Sequence, residues 1–444
     1  MKKTILLGFI FAALCAPSFA AGKPADYKSY LAQKKELEAA VALYRNDQFP
    51  EALLTFNKLK SGNPLAEYYY ASCLASGSGM AANPPQAAAL YKKVFPQVAA
   101  FAGKGDAFAQ NVLAVMYAGG KGVKKSEDEA LKWLRKAAAQ GYPAAQYNLG
   151  TRYAYGKGVL KNETTGAKLF GAAAQQGYAQ AQSGLGMMYA KGRGVKQNYA
   201  EALKWFRLAA AQGDAGALNN IGLMYAYGTG VDQDLEEAVK WMFKAAEKGH
   251  VQAQFNLGTA YQEGKGVKKN DAEAAKWFMK AADQGDPAAQ ANLGAMYQYG
   301  TGLKLSESEA AKWYYKAAMQ GYAPAQSLMG WMCQYGRGVK LNPVSAAIWY
   351  RKAAEQGDPD AQNNLGLMYH NGEGVKKNDA EAVKWYSRAA SQGNASAQFN
   401  LGEMYQFGRG VKKNDAEAEK WFREAAGRGL PAAQAKFETV TPGK

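Results

Sequence analysis

Residues 251–286 read VQAQFNLGTAYQEGKGVKKNDAEAAKWFMKAADQGD. The glycines of this stretch recur along the chain at a fixed step of 36 residues, at positions equivalent to Gly258, Gly264 and Gly285. The first of these positions is glycine in eight copies: Gly150, Gly186, Gly222, Gly258, Gly294, Gly330, Gly366 and Gly402. Self-similarity at such a period is typical of a stacked repeat array. Nine full repeats are predicted over residues 107–430.

Each repeat is predicted to contain two helices. The first carries apolar or small residues at helical spacing, such as Ala145, Leu149 and Tyr153. It is expected to end at a glycine-rich turn such as residues 156–159, because glycine accommodates the left-handed backbone that closes a helix. The second helix carries an apolar stripe such as Ala202, Trp205, Phe206 and Ala209.

The second helix of each repeat is preceded by a residue type that commonly forms a helix N-cap. Its side-chain oxygen can accept a hydrogen bond from a free backbone N–H. These residues are Ser126, Asn162, Asn198, Asp234, Asn270, Ser306, Asn342, Asn378 and Asn414. In most copies a glutamate follows three residues later, as Glu309 follows Ser306, and this spacing predicts a capping box.

The pattern predicts an all-α chain, a right-handed α-α superhelical solenoid of stacked two-helix repeats. Helices of about 12 residues are marginal on their own. Each repeat must therefore bury its apolar face against its neighbours.

The repeat resembles the Sel1-like repeat, which belongs to the tetratricopeptide-like α-solenoids. The resemblance rests on residues 253–258, Tyr261, residues 264–267, Trp277-Phe278 and Gly285, and their equivalents in nine copies. Residues 63–106 resemble a divergent further copy, and residues 27–62 a tetratricopeptide-like helical hairpin. Residues 431–444 are expected to form a partial capping helix and a tail. The resemblance implies an adaptor that binds other proteins in envelope assembly, signalling or host contact.

The first 20 residues are predicted to be a secretory signal peptide. Lys2 and Lys3 precede an apolar run from Thr4 to Ala16, and Ser18-Phe19-Ala20 offers a cleavage site after Ala20. The run is short for a membrane span, which needs about 20 residues. The mature chain is therefore expected in the periplasm or outside the cell, without stable membrane insertion.

The composition offers little material for catalysis. The 444 residues include only 2 His and 3 Cys. Cys73 and Cys333 lie about seven repeats apart, too far for a disulfide within a stacked array. We find no nucleophile constellation, no metal site and no cofactor motif, and predict that the chain is not an enzyme. Some Sel1-like proteins with paired cysteines have been linked to β-lactamase activity. This chain lacks those paired cysteines, and a cell-wall-related hydrolase is the third interpretation of its function.

Aromatic residues on the variable face of the first helices are the candidate partner-binding site. Solenoids of this kind usually line their concave surface with first helices. Exposed aromatic side chains there would act as anchors for a protein partner. The candidates are Tyr147, Tyr155, Tyr227, Phe255, Tyr299, Trp331, Tyr335, Phe399 and Phe407. The competing interpretation is that several of them pack between repeats.

A basic ridge is predicted along the turns that join the two helices of each repeat. The formal net charge is +17, and cations recur between and just after the turn glycines. The candidates are Lys121, Lys157, Arg193, Lys265, Lys268, Arg337, Lys376, Arg409 and Lys412. Such a ridge could attract an acidic protein, an envelope polymer or a nucleic acid. The competing interpretation is a solvated edge that aids solubility. Neither the identity of a partner nor the oligomeric state follows from the sequence.

Overall fold

The computed structural model describes residues 26–440, so the predicted signal peptide lies outside the described residues. The described chain forms 23 helices and no strand. It divides into two compact units, Met1–Ala209 and Ala210–Lys444, which we call unit 1 and unit 2. Within each unit, paired helices stack in chain order as an α-solenoid. The all-α repeat architecture predicted from the sequence is confirmed.

The helices of unit 1 are α1 (Tyr27–Arg45), α2 (Phe49–Leu59), α3 (Pro64–Ser76), α4 (Pro84–Gly103), α5 (Ala107–Gly119), α6 (Glu127–Ala139), α7 (Pro143–Tyr155), α8 (Glu163–Gln175), α9 (Ala179–Lys191) and most of α10 (Tyr199–Ala211). Unit 2 contains α11 (Ala215–Tyr227), α12 (Leu235–Glu247), α13 (Val251–Glu263), α14 (Asp271–Asp283), α15 (Pro287–Tyr299), α16 (Glu307–Met319), α17 (Ala323–Tyr335), α18 (Pro343–Glu355), α19 (Pro359–Asn371), α20 (Asp379–Ser391), α21 (Ala395–Phe407), α22 (Asp415–Gly427) and α23 (Pro431–Val440).

The predicted N-caps of the second helices are confirmed. Each of the nine side chains accepts a backbone N–H from the first turn of its helix, at 2.9–3.3 Å. The first helices end at a left-handed glycine, such as Gly264 with φ 71°.

The predicted capping box is wrong in its second half. The N–H of Ser306 donates to the carbonyl of Tyr297 at 2.8 Å, so the glutamate three residues later is not needed there. Glu309 instead accepts a bond from the ammonium of Lys312 at 2.6 Å. The same i,i+3 pairing occurs on α6, α12, α14 and α20.

Within a repeat, the helix glycine makes room for a large side chain of the second helix. A Cβ placed on Gly258 would lie 2.8 Å from Cδ1 and Cε1 of the buried Phe278 ring. The equivalent pairs place a ring within 2.6–2.9 Å of such a Cβ: Gly150/Phe170, Gly186/Phe206, Gly294/Tyr314, Gly330/Tyr350, Gly366/Tyr386 and Gly402/Phe422. The absence of a side chain at this position therefore allows the two helices of a repeat to pack closely together.

Between repeats, the second turn glycine contacts the preceding repeat's backbone. A Cβ on Gly266, whose φ is 71°, would lie 2.1 Å from the carbonyl oxygen of Leu235, the first residue of α12. Equivalent contacts at 2.1–2.3 Å join Gly122/Tyr91, Gly194/Glu163, Gly302/Asp271, Gly338/Glu307, Gly374/Pro343 and Gly410/Asp379. We call these seven contacts the glycine locks.

A buried glutamine joins neighbouring repeats at the opposite end of the first helix. Gln254 Nε2 donates to the carbonyl of Ala246 in the preceding repeat at 3.1 Å. Its Oε1 accepts from Gln284 of its own repeat at 2.8 Å. The same arrangement recurs around Gln110, Gln290, Gln326 and Gln362.

Candidate partner-binding surfaces

Five of the nine predicted aromatic residues are exposed, and all five end a first helix. In unit 2 these are Tyr227, Tyr299, Tyr335 and Phe407, and in unit 1 Tyr155, with 51–75 % of each residue exposed. Each precedes the left-handed glycine that ends its helix. Guanidinium groups lie over two of the rings, Arg193 over Tyr155 and Arg409 over Phe407. Aromatic side chains are enriched among the residues that dominate protein interfaces.

The other four predicted aromatic residues are half-buried. Tyr147, Phe255 and Phe399 each lie against the phenylalanine of the second helix in the same repeat, with ring centroids 5.4–5.7 Å apart. Trp331 lies 5.7 Å from the ring of Tyr335. These four side chains are part of the packing and still present one edge to solvent.

An apolar groove of about 470 Å³ opens in unit 2 beside Tyr227. Phe255, Met242 and Leu223 line it, and Lys265 stands at its rim. Met242 occupies the position that holds a bulkier Phe or Tyr ring in the seven other copies named above. The groove therefore brings together three predicted site residues, Tyr227, Phe255 and Lys265.

The predicted basic ridge is partly neutralised by neighbouring groups. Arg193 pairs with Glu163 at 2.8 Å, Lys265 with Glu263 at 2.7 Å, and Arg337 with Glu307. Half-buried Lys121 lies over the rings of Tyr68 and Tyr91, and burial lowers the pKa of its ammonium. Arg409 covers the ring of Phe407. Lys157, Lys268, Lys376 and Lys412 are exposed and form no ion pair within residues 26–440.

In unit 1, α1 lies across the N-terminal ends of successive first helices. We call the N-cap residues of the first helices, with the turns that precede them, the N-cap edge. In unit 1 its N-cap residues are Asn63, Asp106, Tyr142 and Tyr178. Gln33 of α1 accepts a hydrogen bond from the Asn63 amide at 3.1 Å.

Tyr30 and Lys34 in the N-terminal half of α1 and Arg45 at its C-terminal end secure the helix to this edge. The Tyr30 hydroxyl donates to Asp106 at 3.0 Å, and the Lys34 ammonium lies 2.7 Å from the same carboxylate. At the other end the Arg45 guanidinium lies 5.2 Å from the ring centroid of Tyr178. Burial lowers the pKa of this guanidinium, but the facing hydroxyls of Tyr69, Tyr178 and Tyr142 hold it above the ordinary value.

The model of the Sel1 repeat family matches ten stretches of the chain: residues 64–93, 107–142, 143–178, 179–214, 215–250, 251–286, 287–322, 323–358, 359–394 and 395–430. The chain belongs to the Sel1 repeat family. A search of curated proteins finds no match.

Two solved Sel1 repeat structures are similar to this chain. One is a protective antigen of uropathogenic Escherichia coli with an SLR fold, 33 % identical, covering 87 % of this chain and 82 % of its own, with a TM-score of 0.65. The other is a Sel1 repeat protein from Oxalobacter formigenes, 35 % identical, covering 70 % of this chain and 90 % of its own, with a TM-score of 0.53.

The chemically reactive residues of this Sel1 repeat chain are placed in structural roles. Cys73 and Cys333 are buried free thiols, and burial raises the pKa of Cys73 to about 11. His370 Nδ1 lies 2.7 Å from Asp379. In the described part of the chain no three His, Cys, Asp or Glu side chains are grouped so that they could hold a metal ion. The helices of residues 26–440 include none with the length and apolar character of a membrane span.

His250 is the N-cap of α13, and its Nδ1 accepts the N–H of Ala253 at 3.2 Å. Burial lowers its pKa. The unfolded chain, with an ordinary histidine pKa of about 6.5, therefore takes up the proton first. We expect the stability of unit 2 to fall as the pH drops from about 7 through this range.

Urea midpoints measured between pH 5 and pH 8 test this expectation against His250→Asn, which keeps a cap of the Asn394 type and removes the titration. The wild-type midpoint should fall further than the variant midpoint towards pH 5. Parallel curves for the two proteins would contradict the expectation.

Sequence reasoning missed the N-cap edge of this Sel1 repeat array. One signal was available: the N-cap of the first helices is Asp, Asn or His in most copies but tyrosine at positions 142, 178 and 322. The tyrosines make no capping hydrogen bond with their side chains. Because these tyrosine side chains do not cap their helices, they are available for other contacts.

Proposed function

We propose that this Sel1 repeat protein is a scaffold that holds a protein partner through the aromatic first-helix ends of unit 2, and that it transforms no substrate. The observation that carries the proposal is the exposure of Tyr227, Tyr299, Tyr335 and Phe407 at one repeat position. Repeat solenoids generally use such extended surfaces for binding. The groove beside Tyr227 would accept an apolar side chain of the partner.

Replacement of two of these rings tests the proposal. Tyr227→Ala with Tyr299→Ala should weaken capture of a partner by about tenfold or more, since buried anchors each contribute about 2 kcal/mol to binding. The measurement is quantitative mass spectrometry after crosslinking capture from the native cell envelope. Because both rings are exposed, the circular dichroism and thermal unfolding of the variant should match the wild type.

Tyr315→Ala is the matched control, because Tyr315 is an exposed tyrosine of a second helix. It should leave capture unchanged. Equal capture by the double variant and the control would refute the aromatic face as the binding surface.

We also propose that the protein is exported by its N-terminal signal and acts in the periplasm or outside the cell. The apolar run behind Lys2 and Lys3 supports this. N-terminal sequencing of the protein from an envelope fraction should read Ala21 first. A chain that retains Met1 would contradict export by cleavage.

The alternative of an acidic-polymer binder has less support. Arg193, Lys265 and Arg337 are paired with glutamates, so only a subset of the basic ridge is free for an anion. Phosphate binders rely on several convergent unpaired cations. Among the aromatic residues, Phe407 has Arg409 over its ring, whereas Tyr227 and Tyr299 are 75 % and 70 % exposed.

A further inference from the structure

The docking of α1 in unit 1 shows what the N-cap edge of this array can bind. Lys34 and Arg45 are 11 residues apart, about 16 Å and three full helical turns, so both face the same side of α1. Lys34 reaches the aspartate N-cap of one repeat, and Arg45 reaches the tyrosine N-caps of the next two. Under α1, Asp106 is only 6 % exposed.

The N-cap edge of unit 2 repeats the first two residues of this order, and no helix of unit 2 among the described residues is paired with it as α1 is in unit 1. Asp286 and Tyr322 stand 36 residues apart, as Asp106 and Tyr142 do, and Asp358 follows at the next N-cap. All three are half-buried. Met319, three residues before Tyr322, is an exposed apolar side chain.

This edge is acidic within a strongly basic chain. The turns at residues 283–288, 319–324 and 355–360 contain no Lys, Arg or His, and they carry Asp283, Asp286, Glu355, Asp358 and Asp360. None of the five forms an ion pair with any residue that the structure describes. In contrast, Asp106 of unit 1 is paired with the ammonium of Lys34.

The capping hydrogen bonds leave these carboxylates able to accept a cation. Asp286 and Asp358 cap their helices by accepting the N–H of Ala289 and of Ala361, each at 2.7 Å. The side chain of Ser327 also faces the Asp358 carboxylate, and it is a neutral group. A carboxylate has about four acceptor positions. Burial raises the pKa of Asp358, as expected for a carboxyl group that no cation faces.

We propose that the N-cap edge of unit 2 at Asp286, Tyr322 and Asp358 is a second docking surface, which binds a partner helix bearing Lys or Arg at positions i and i+11. The first cation lies on Asp286. The second lies on the Tyr322 ring and reaches Asp358, where unit 1 has a second tyrosine. An arginine suits this second position best, because its guanidinium stacks on a ring and hydrogen-bonds a carboxylate together.

The partner helix crosses the first helices at their N-terminal ends, as α1 does. The surface is separate from the aromatic first-helix ends, which lie at the other end of the same helices. Failure of one binding surface therefore leaves the other intact.

A labelled peptide of the chain's own sequence, residues 26–46, is a suitable probe because it carries Lys34 and Arg45 at the required spacing. Its binding to the full-length mature protein is measured by fluorescence anisotropy. The test variant is Asp286→Asn, Tyr322→Asn, Asp358→Asn. Asparagine is as good an N-cap as aspartate, so the variant keeps its helix caps and loses only the charges and the ring.

We expect the peptide to bind the wild type and to bind the test variant at least tenfold more weakly. Asp232→Asn with Asp415→Asn, two exposed carboxylates elsewhere in unit 2, should leave binding unchanged. A peptide with Lys34→Glu and Arg45→Glu should not bind the wild type.

Two results would overturn the proposal. One is the absence of peptide binding to the wild-type protein. The other is equal binding by the wild type and the test variant, which would mean that the peptide binds elsewhere or exchanges with α1. Tyr227→Ala with Tyr299→Ala, the variant that tests the aromatic face, should bind the peptide as the wild type does.

Discussion

Gly266→Ala should destabilise unit 2 by about 3 kcal/mol or more, placing it among the severe single substitutions. The new Cβ would lie 2.1 Å from the carbonyl oxygen of Leu235. Neither atom of this glycine lock can move away unless the backbone of its repeat also moves. The positive φ of 71° adds about 1 kcal/mol for any residue other than glycine. Relief requires the two repeats to separate, which would also strain the Gln254 bond to the Ala246 carbonyl.

Gly285→Ala separates the cost of the steric clash from the cost of the positive φ. Gly285 has a positive φ of 93°, but a Cβ there meets no atom within 4 Å. Its substitution should cost about 1 kcal/mol, the conformational term alone. Urea unfolding followed by circular dichroism, with amide hydrogen exchange to locate the opened repeats, measures both variants. If the two substitutions cost the same, the glycine lock contributes nothing beyond backbone conformation.

Phe278→Ala should cost about 3–5 kcal/mol, since it removes a fully buried ring from the centre of a repeat. The adjacent Gly258 offers a sharper test of the packing. Gly258→Ala alone should cost about 1–3 kcal/mol, because its Cβ would lie 2.8 Å from the ring.

The double variant should be more stable than the sum of the two single effects predicts. Without the ring, the methyl group introduced at position 258 enters vacated space, and alanine favours a helix over glycine by about 1 kcal/mol. A double-mutant cycle in urea measures this coupling. If the two single effects were additive, the absence of a side chain at Gly258 would not be what accommodates the Phe278 ring.

The two-helix repeat could be predicted because its signals are local and recur. The N-cap residues and the closing glycines act within one helical turn, so one copy suffices to recognise them and nine copies remove ambiguity. The capping-box prediction was wrong because it depends on a contact with another helix, which the local sequence does not show. Its partner, the Ser306 N–H, is bonded by the carbonyl of Tyr297 from the preceding helix.

The binding surfaces were only partly predictable, because exposure depends on neighbouring side chains. Tyr147 and Tyr155 both look available on a helical projection, yet Tyr147 lies against Phe170 and Tyr155 is exposed. Arg193 and Lys157 occupy equivalent turn positions, but only Arg193 meets a glutamate. The proposed docking surface around Tyr322 rests on a comparison with α1 that requires coordinates.

The sequence by itself determined the repeat length, the start of each second helix, the glycine that ends each first helix and the family of this protein, because a periodic pattern of glycines, caps and apolar residues constrains the backbone turn by turn. The tertiary structure alone decided where α1 lies, which rings and cations are free, and how closely repeats approach. Arg45 meets Tyr178, 133 residues later, through a contact that no local pattern encodes. Such contacts depend on which side chains the stacked helices bring within reach of one another.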